Sequence, residues 1–526
     1  MSEHYGWLSI LPPVMAIGLA LWKRQVLVAL LFGLFAGVVV IEGNPFVSFL
    51  RLGDKYLVGA LADESHAAIL VFSTILGGMV GVLSRSGATG GIVHWLGKKV
   101  SGRRGGQIAT AGMGTAIFFD DYANTLLVGS TMRPLTDRLK ISREKLAWLV
   151  DSTAAPVTTV AVISTWVGFE VGLIQEAMET LGHSGQAYSF FLQTIPYSFY
   201  PLLTLLMVYV VALSGRDYGP MLEAERRAYH KGQVLGPNAR PASEVHVADD
   251  DNNREPANPL LAGVPILGVV LTTAVGLYFN GRQTAIAEGM ASPGMRDILN
   301  AADSFAVLTW AALVGAVLAI VLTTATKRHS LVDAIDGFVD GGKAMMPAVV
   351  ILIMAWSLSA VCEELGTAKF LVESSRGVLS AHLLPVLVFV LAGAVSFSTG
   401  TSWGTMAILM PLAYPLGHEL PIEAGLSAAT AMNIHLAAVS AVLAGAVFGD
   451  HCSPISDTTI LSSLATSSDH VDHVKTQLPY AMTVGGIATA LGYIPAGFGL
   501  SPWISLAFGA VAVVFVVMKF GTPADQ

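Results

Sequence analysis

The sequence predicts an all-α polytopic membrane protein of about 11 to 12 transmembrane spans, built as two inverted repeats that each hold a re-entrant hairpin and a discontinuous helix. Three observations lead there. The first is composition: of 526 residues, 53% are apolar and 13% charged, and the mean hydropathy is +0.63. Soluble chains carry about 25% charged residues, so most of this chain faces lipid or protein interior. The second is a succession of apolar segments, and the third is a set of polar breaks in corresponding places of the two halves. A net charge of −8, modest for this length, gives no footing for a nucleic-acid partner.

In chain order, the apolar stretch from Trp7 to Trp22 is followed by Lys23-Arg24 and at once by another apolar run. No small-residue cleavage site follows, so it reads as a first span and not a signal peptide. Windows of about 19 residues then mark segments near 25–41, 67–84, 107–132, 146–169 and 188–214. A second set lies near 260–279, 304–326, 345–361, 383–416, 426–448, 478–498 and 503–519. Arg216 to Pro259 is hydrophilic and rich in Pro and Asn, and reads as a disordered cytoplasmic linker. The predicted organisation is a first repeat at 1–215, the linker at 216–259, a second repeat at 260–500, and an extra span with a tail at 501–526.

Lys and Arg placement sets sidedness, because loops rich in them stay cytoplasmic. Arg85, Lys98, Lys99, Arg103 and Arg104 precede the 107–132 segment, and Arg133, Arg138, Lys140, Arg143 and Lys145 follow it. A segment with both ends inside is a hairpin opening to the cytoplasm. The analogous 383–416 segment is interrupted at Ser396 to Gly404 and has few basic flanks, so it should open outward. This places the protein in the cell inner membrane with the N-terminus outside and the C-terminus inside. The two cysteines, Cys362 and Cys452, suit neither a disulfide framework nor a metal site and read as small buried residues.

An ionised carboxylate at the bilayer centre costs roughly 2.5 to 3.5 kcal/mol on insertion scales, which makes intramembrane acids functional candidates. Five occur in the breaks: Asp120, Asp121, Asp151, Asp450 and Asp457, with no Lys or Arg among them. Around them stand Asn124, Thr125, Thr158, Thr159, Ser453, Ser456, Thr458 and Thr459 in the same breaks, with Thr399, Thr401 and Ser402 at the outward hairpin tip. Hydroxyl, carbonyl and carboxylate oxygens suit a hard monovalent or divalent cation and not zinc or copper. The expectation is a mobile cation or protons held at Asp120, Asp121, Asp151, Asp450 and Asp457, Na+ being the cation that the resemblance given below implies, with His451 as a candidate proton relay.

Each residue also has a structural reading. Asp120-Asp121 fits a solvated hairpin tip, and Asp151, Asp450 and Asp457 fit helix caps beside Pro and Gly. His451 and His435 fit hydrogen-bonded core histidines, and Thr399, Thr401 and Ser402 fit groups that satisfy a turn's backbone. Glu42, Asp63, Glu64, Glu363 and Glu364 lie at segment ends and read as interfacial. There is no phosphate-binding Lys loop, no Gly-x-Ser-x-Gly and no His-Glu-x-x-His, so neither ATP-driven pumping nor hydrolysis is indicated and no cofactor is expected. An intramembrane aspartyl protease would need a completed glycine-aspartate motif, which Val447-Phe448-Gly449-Asp450 does not supply.

Four stretches carry a resemblance. They are Phe118-Phe119-Asp120-Asp121-Tyr122-Ala123-Asn124-Thr125, Arg133-Pro134-Leu135-Thr136-Asp137, Asp151-Ser152-Thr153-Ala154-Ala155-Pro156, and Gly449-Asp450-His451-Cys452-Ser453-Pro454-Ile455-Ser456-Asp457-Thr458-Thr459. With them the chain resembles the NhaC family of sodium/proton antiporters within the ion transporter superfamily. The resemblance implies two inverted repeats, a homodimeric scaffold and an elevator-like movement. It also implies secondary active exchange of Na+ for H+, or, in relatives, Na+-coupled exchange of a small organic acid of the malate or lactate type or an amino acid.

Overall fold

Helix boundaries follow the capping chemistry written in the sequence. Asn44 accepts hydrogen bonds from the backbone N–H of Phe46 and Val47 ahead of Pro45, Ser142 does so for Lys145, and Asp469 for Asp472. Each starts a helix where the periodicity alone marks only an apolar run. The computed structural model describes residues 5–23, 26–88, 91, 100, 102–118, 121–161, 164–181, 187–241, 258–367, 370 and 380–526. These are helical apart from turns and one pair of two-residue strands.

The chain opens with α1 (Leu11–Lys23) and α2 (Val26–Glu42). After a bend of 118° come α3 (Pro45–Arg51), a π-helical turn, α4 (Val58–Ala62) and α5 (Glu64–Arg85). A helix, break, helix unit follows in α6 (Gly102–Ala116) and α7 (Asp121–Arg138). Next are α8 (Arg143–Thr158), α9 (Thr165–Thr180), α10 (Ala187–Thr194) and α11 (Phe199–Ser214). Strand β1 (Arg216–Asp217) and α12 (Gly219–Lys231) lead out of the first half.

The second half contains α13 (Leu260–Ala287), α14 (Ser304–Ala325), α15 (Leu331–Ala344) and α16 (Met346–Glu364). Another helix, turn, helix unit follows in α17 (Leu384–Thr399) and α18 (Ser402–Glu423). Then come α19 (Ala428–Cys452), α20 (Asp457–Ala465), α21 (His470–Ile487), α22 (Pro502–Phe520) and β2 (Thr522–Pro523). The order paired helices, buried helix, break, helix thus occurs at α6 to α9 and again at α17 to α20.

Six helices among the described residues are long and apolar enough to cross a membrane, or eight if two bent pairs each count as one. This is fewer than the 11 to 12 predicted, because helices that carry the polar breaks are short: α8 has 16 residues and α20 has nine. The protein is a multi-pass helical membrane protein. The second paired unit turns at Gly400, whose φ of 73° favours glycine. A Cβ there would lie 2.5 Å from the Ile455 carbonyl oxygen, so this turn is pressed against the α19–α20 break.

Apolar side chains form two cores. One gathers α2, α5, α7, α14 and α16 with Ile460, Leu461 and Leu464 of α20; the other gathers α9, α11, α17, α18, α19 and α21. Helix α8 serves both, sending Leu146 and Val150 to the first and Trp148, Leu149 and Ala155 to the second. Within the first core, α5 and α15 approach to backbone contact. A Cβ on Gly81 would meet the Gly337 carbonyl oxygen at 2.2 Å, and one on Gly341 would meet that of Gly77 at 2.2 Å. Glycines four apart on both helices give lipid-facing segments their van der Waals grip.

The expectation of a disordered stretch at 216–259 is corrected over its first part. Strand β1 pairs antiparallel with β2, and α12 is bound to the helices beside it by ion pairs. Asp217 pairs with the fully buried Lys145, Glu225 with Arg103 at 2.5 Å, and Glu144 with Arg227 at 2.8 Å. Burial pushes the Glu225 carboxyl up, and Arg103 opposes it. Polar composition suggested disorder, but these charges satisfy one another and cap helix ends. Residues 242–257 of that stretch lie outside the described residues.

Candidate functional site

The break between α19 and α20 organises the site. Helix α19 ends when the Ser453 N–H bonds the Asp450 carbonyl oxygen at 3.0 Å, Pro454 follows, and Ser456 caps α20 through the Thr459 N–H. Asp450 therefore sits in the last turn of one helix and Asp457 is the first residue of the next. Neither is the cap itself, which the hydroxyls provide. Asp151 is no cap either: it lies in the interior of α8, whose cap is Ser142.

Asp457 accepts a hydrogen bond from the Tyr122 hydroxyl at 2.8 Å and one from the Thr458 backbone N–H at 2.8 Å. The Thr458 hydroxyl donates to Asp450 at 2.5 Å, the length of a charge-assisted bond. The neighbouring Thr459 hydroxyl lies 3.1 Å from Asp151 Oδ2 and 3.3 Å from the Asp450 carbonyl oxygen. Asp151 also accepts from Ser462 at 3.1 Å and from the Gln477 amide at 2.6 Å, and His473 Nε2 stands 3.9 Å away. All three carboxylates are buried. Each accepts from hydroxyls, an amide or a backbone N–H, which lessens but does not cancel the cost of a charge taken from water.

From the hairpin side, Asp121 is fully buried as the first residue of α7. Asn124 Nδ2 lies 2.6 Å from the Gly114 carbonyl, 3.0 Å from that of Ile117 and 3.0 Å from that of Thr153, tying α6, α7 and α8 together. Asn124 Oδ1 and the Thr125 hydroxyl are buried with no hydrogen-bond partner among the described residues. Asp120 and Phe119 lie outside the described residues.

Among the described residues no three His, Cys, Asp or Glu side chains gather as a metal site. Asp457, Asp450 and Asp151 are strung along a hydrogen-bond path, Tyr122, Asp457, Thr458, Asp450, Thr459, Asp151. Several expected oxygen donors are occupied elsewhere. Thr158 bonds back to Ala154, Thr159 donates to Glu170 at 2.6 Å, and Ser453 donates to Phe397. At the α17–α18 turn, Thr399 bonds back to Val395, Thr401 caps α18 and Ser402 donates to Ala446. These three satisfy backbone groups.

His451 contacts the Tyr200 hydroxyl through Nδ1 at 2.9 Å. With Gln477, Ser152 and Thr204 it lines a cavity of about 10 Å³, room for about one water. His435 packs tilted against Phe190 and His418 and edge-on to Tyr414. Sequence reasoning missed Gln477, His470, His473 and Glu170. Glu170 is fully buried and stands one residue past the end of the predicted 146–169 segment. The spacing His470, His473, Gln477 places all three on one helical face, a signal present in the sequence.

Residues 157–498 match the Na+/H+ antiporter family. The chain belongs to that family. This antiporter family member is 33% identical over 525 residues to an uncharacterized protein of Haemophilus influenzae, covering 97% of this chain and 95% of that one. It is 28% identical over 174 residues to the malate-2H+/Na+-lactate antiporter of Bacillus subtilis, covering 32% and 34% of the two chains. To the Na+/H+ antiporter NhaC of Alkalihalophilus pseudofirmus it is 27% identical over 143 residues, covering 27% and 29%. The antiporter is thus a secondary membrane transporter and not an enzyme, and its substrates are ions or small solutes.

Proposed function

We propose that the protein exchanges Na+ for H+ across the cytoplasmic membrane, with inward proton movement driving Na+ out. The observation that carries the reading is the path of buried carboxylates bridged by hydroxyls at the junction of the two cores. Asp450 and Asp457, with Asp121 and the unsatisfied oxygens of Asn124 and Thr125, form the cation side. Asp151 forms the proton side, since both its oxygens already accept from neutral donors. A Na+ there would have to displace three hydrogen bonds.

Buried like charges favour keeping a proton on at least one acid, and an arriving cation displaces it. Either loaded form carries less uncompensated charge than the empty one, which resists crossing a dry barrier and so enforces exchange over leak. The recurrence of paired helices, buried helix and break supports two inverted repeats, and the two cores meeting at the site support an elevator-like movement of one against the other. A homodimer and surrounding lipid complete the reading.

The test is Na+-dependent collapse of an imposed pH gradient in proteoliposomes, with Asp120→Asn, Asp121→Asn, Asp151→Asn and Asp450→Asn beside the wild type. Full activity in all four variants sinks the carboxylate mechanism. The alternative is Na+-coupled exchange of a small organic acid or amino acid, favoured by the segment shared with the malate/lactate antiporter. Counterflow of labelled malate, lactate or amino acid against a Na+ gradient distinguishes it.

A further inference from the structure

We propose that Ser463, His470 and His473 form a proton-binding site in which the two histidines share one extra proton across the serine hydroxyl, beside the Asp151 carboxylate. The argument is a count of hydrogens. His470 Nε2 lies 2.7 Å from the Pro454 carbonyl oxygen, which only accepts, so that nitrogen carries a hydrogen. His473 Nε2 lies 3.0 Å from Gln477 Oε1. The orientation of that amide is fixed, because its nitrogen faces Asp151 Oδ2 at 2.6 Å and the His451 carbonyl oxygen at 3.0 Å. The facing oxygen therefore accepts, and His473 Nε2 also carries a hydrogen.

Both Nδ1 atoms, at 2.9 Å each, converge on the one Ser463 hydroxyl. The Thr459 carbonyl oxygen is a third neighbour of that hydroxyl at 2.9 Å. With both imidazoles neutral, two Nδ1 lone pairs and a carbonyl compete for one hydrogen, and at least one nitrogen lone pair faces the serine oxygen. A hydrogen on either Nδ1 removes that clash: the protonated ring donates to Ser463, and Ser463 donates to the other ring. The three side chains are buried, so water does not resolve the conflict.

Two carboxylates and a third imidazole face the pair. Asp151 of α8 stands 3.9 Å from His473 Nε2 and faces both histidines, His451 of α19 faces His473, and Asp469 at the start of α21 faces His470. Further along α8, Lys145 is spent on Asp217, and Glu225 and Arg227 of α12 are paired with Arg103 and Glu144. Through Gln477 and Thr459 the pair connects to Asp151 and then to Asp450. Its role as the site that gives up a proton when Na+ arrives rests on the exchange proposed above, whereas the shared proton itself does not.

Solid-state nitrogen NMR on the full-length, histidine-labelled protein in lipid reads the site in the wild type, without relying on a variant to fold. At about pH 7 one imidazolium is expected for the pair, lost as a unit in His470→Gln or His473→Gln. Two neutral rings across the range of about pH 5.5 to 8.5 would overturn the proposal. In proteoliposomes, His473→Gln and Ser463→Ala are expected to keep Na+/Na+ exchange and to shift the pH midpoint of Na+/H+ exchange by about one unit or more. An unshifted profile in both overturns the role in exchange. Absence of any Na+ flux in the wild type defeats the exchange reading alone, since the imidazolium signature is read independently.

Discussion

The two carboxylate neighbourhoods at the α19–α20 break differ in how they are held. Asp151 sits inside a continuous helix and accepts from Thr459, Ser462 and Gln477, with His473 close by. Asp450 and Asp457 sit at the two lips of the break, each next to a backbone that has stopped being helical, and accept from Thr458 and Tyr122. The first acid is fixed by neutral donors and coupled to titratable rings. The second pair flanks unwound backbone and is tied to α7 through the Tyr122 hydroxyl. The short helix α20 touches both: Thr458 bonds Asp450, and Thr459 and Ser462, one and four residues further on, bond Asp151.

Variants at the lips should have the largest effect. Asp450→Asn and Asp457→Asn are expected to lower Na+-driven proton flux by about 100-fold, equivalent to about 2.7 kcal/mol, with loss of Na+/Na+ exchange as well. Asp151→Asn is expected to abolish proton coupling while leaving Na+/Na+ exchange measurable; equal loss of both would erase the distinction between the sides.

Gln477→Leu comes next, because it strips Asp151 of its shortest hydrogen bond and leaves a buried charge short of a donor. A fall in proton-coupled flux of about tenfold follows from the usual cost of about 1 to 3 kcal/mol for such an orphaned group. On the cation side, Tyr122→Phe removes one hydroxyl from Asp457 and should raise the Na+ concentration for half-maximal flux about fivefold, at about 1 kcal/mol for the bond. Thr459→Val, which unlinks the two neighbourhoods without emptying either, should change each rate by only about two- to threefold. An effect larger than that of Gln477→Leu would mean that the two sides act as one.

Much of this arrangement is legible in the sequence because membrane burial makes charge conspicuous. Asp121, Asp151, Asp450 and Asp457 stand out against apolar surroundings, and the hydroxyls at 456 to 459 stand beside two of them. What each hydroxyl does is less legible. Thr458 and Thr459 reach carboxylates, while Thr158, Thr399 and Ser402 bond back to carbonyls, and the difference depends on which way each helix face turns. Gln477, His470 and His473 were hidden because they lie between the predicted 426–448 and 478–498 segments, whereas the helix that carries them begins at His470. The order of 216–231 was hidden because its charges find partners on α6 and α8, more than seventy residues away in sequence. Capping residues such as Ser142 and Ser456 also moved Asp151 and Asp457 off the cap positions that local pattern suggested.

The central claim is that a cation and a proton compete through one path of buried carboxylates. The most direct measurement is the pH change inside sealed proteoliposomes when Na+ alone is added to wild type and to Asp450→Asn. The account predicts a Na+-dependent collapse of the pH gradient in the wild type, with no organic solute present, and none in the variant. A wild-type gradient that collapses only when malate, lactate or an amino acid is supplied would contradict it.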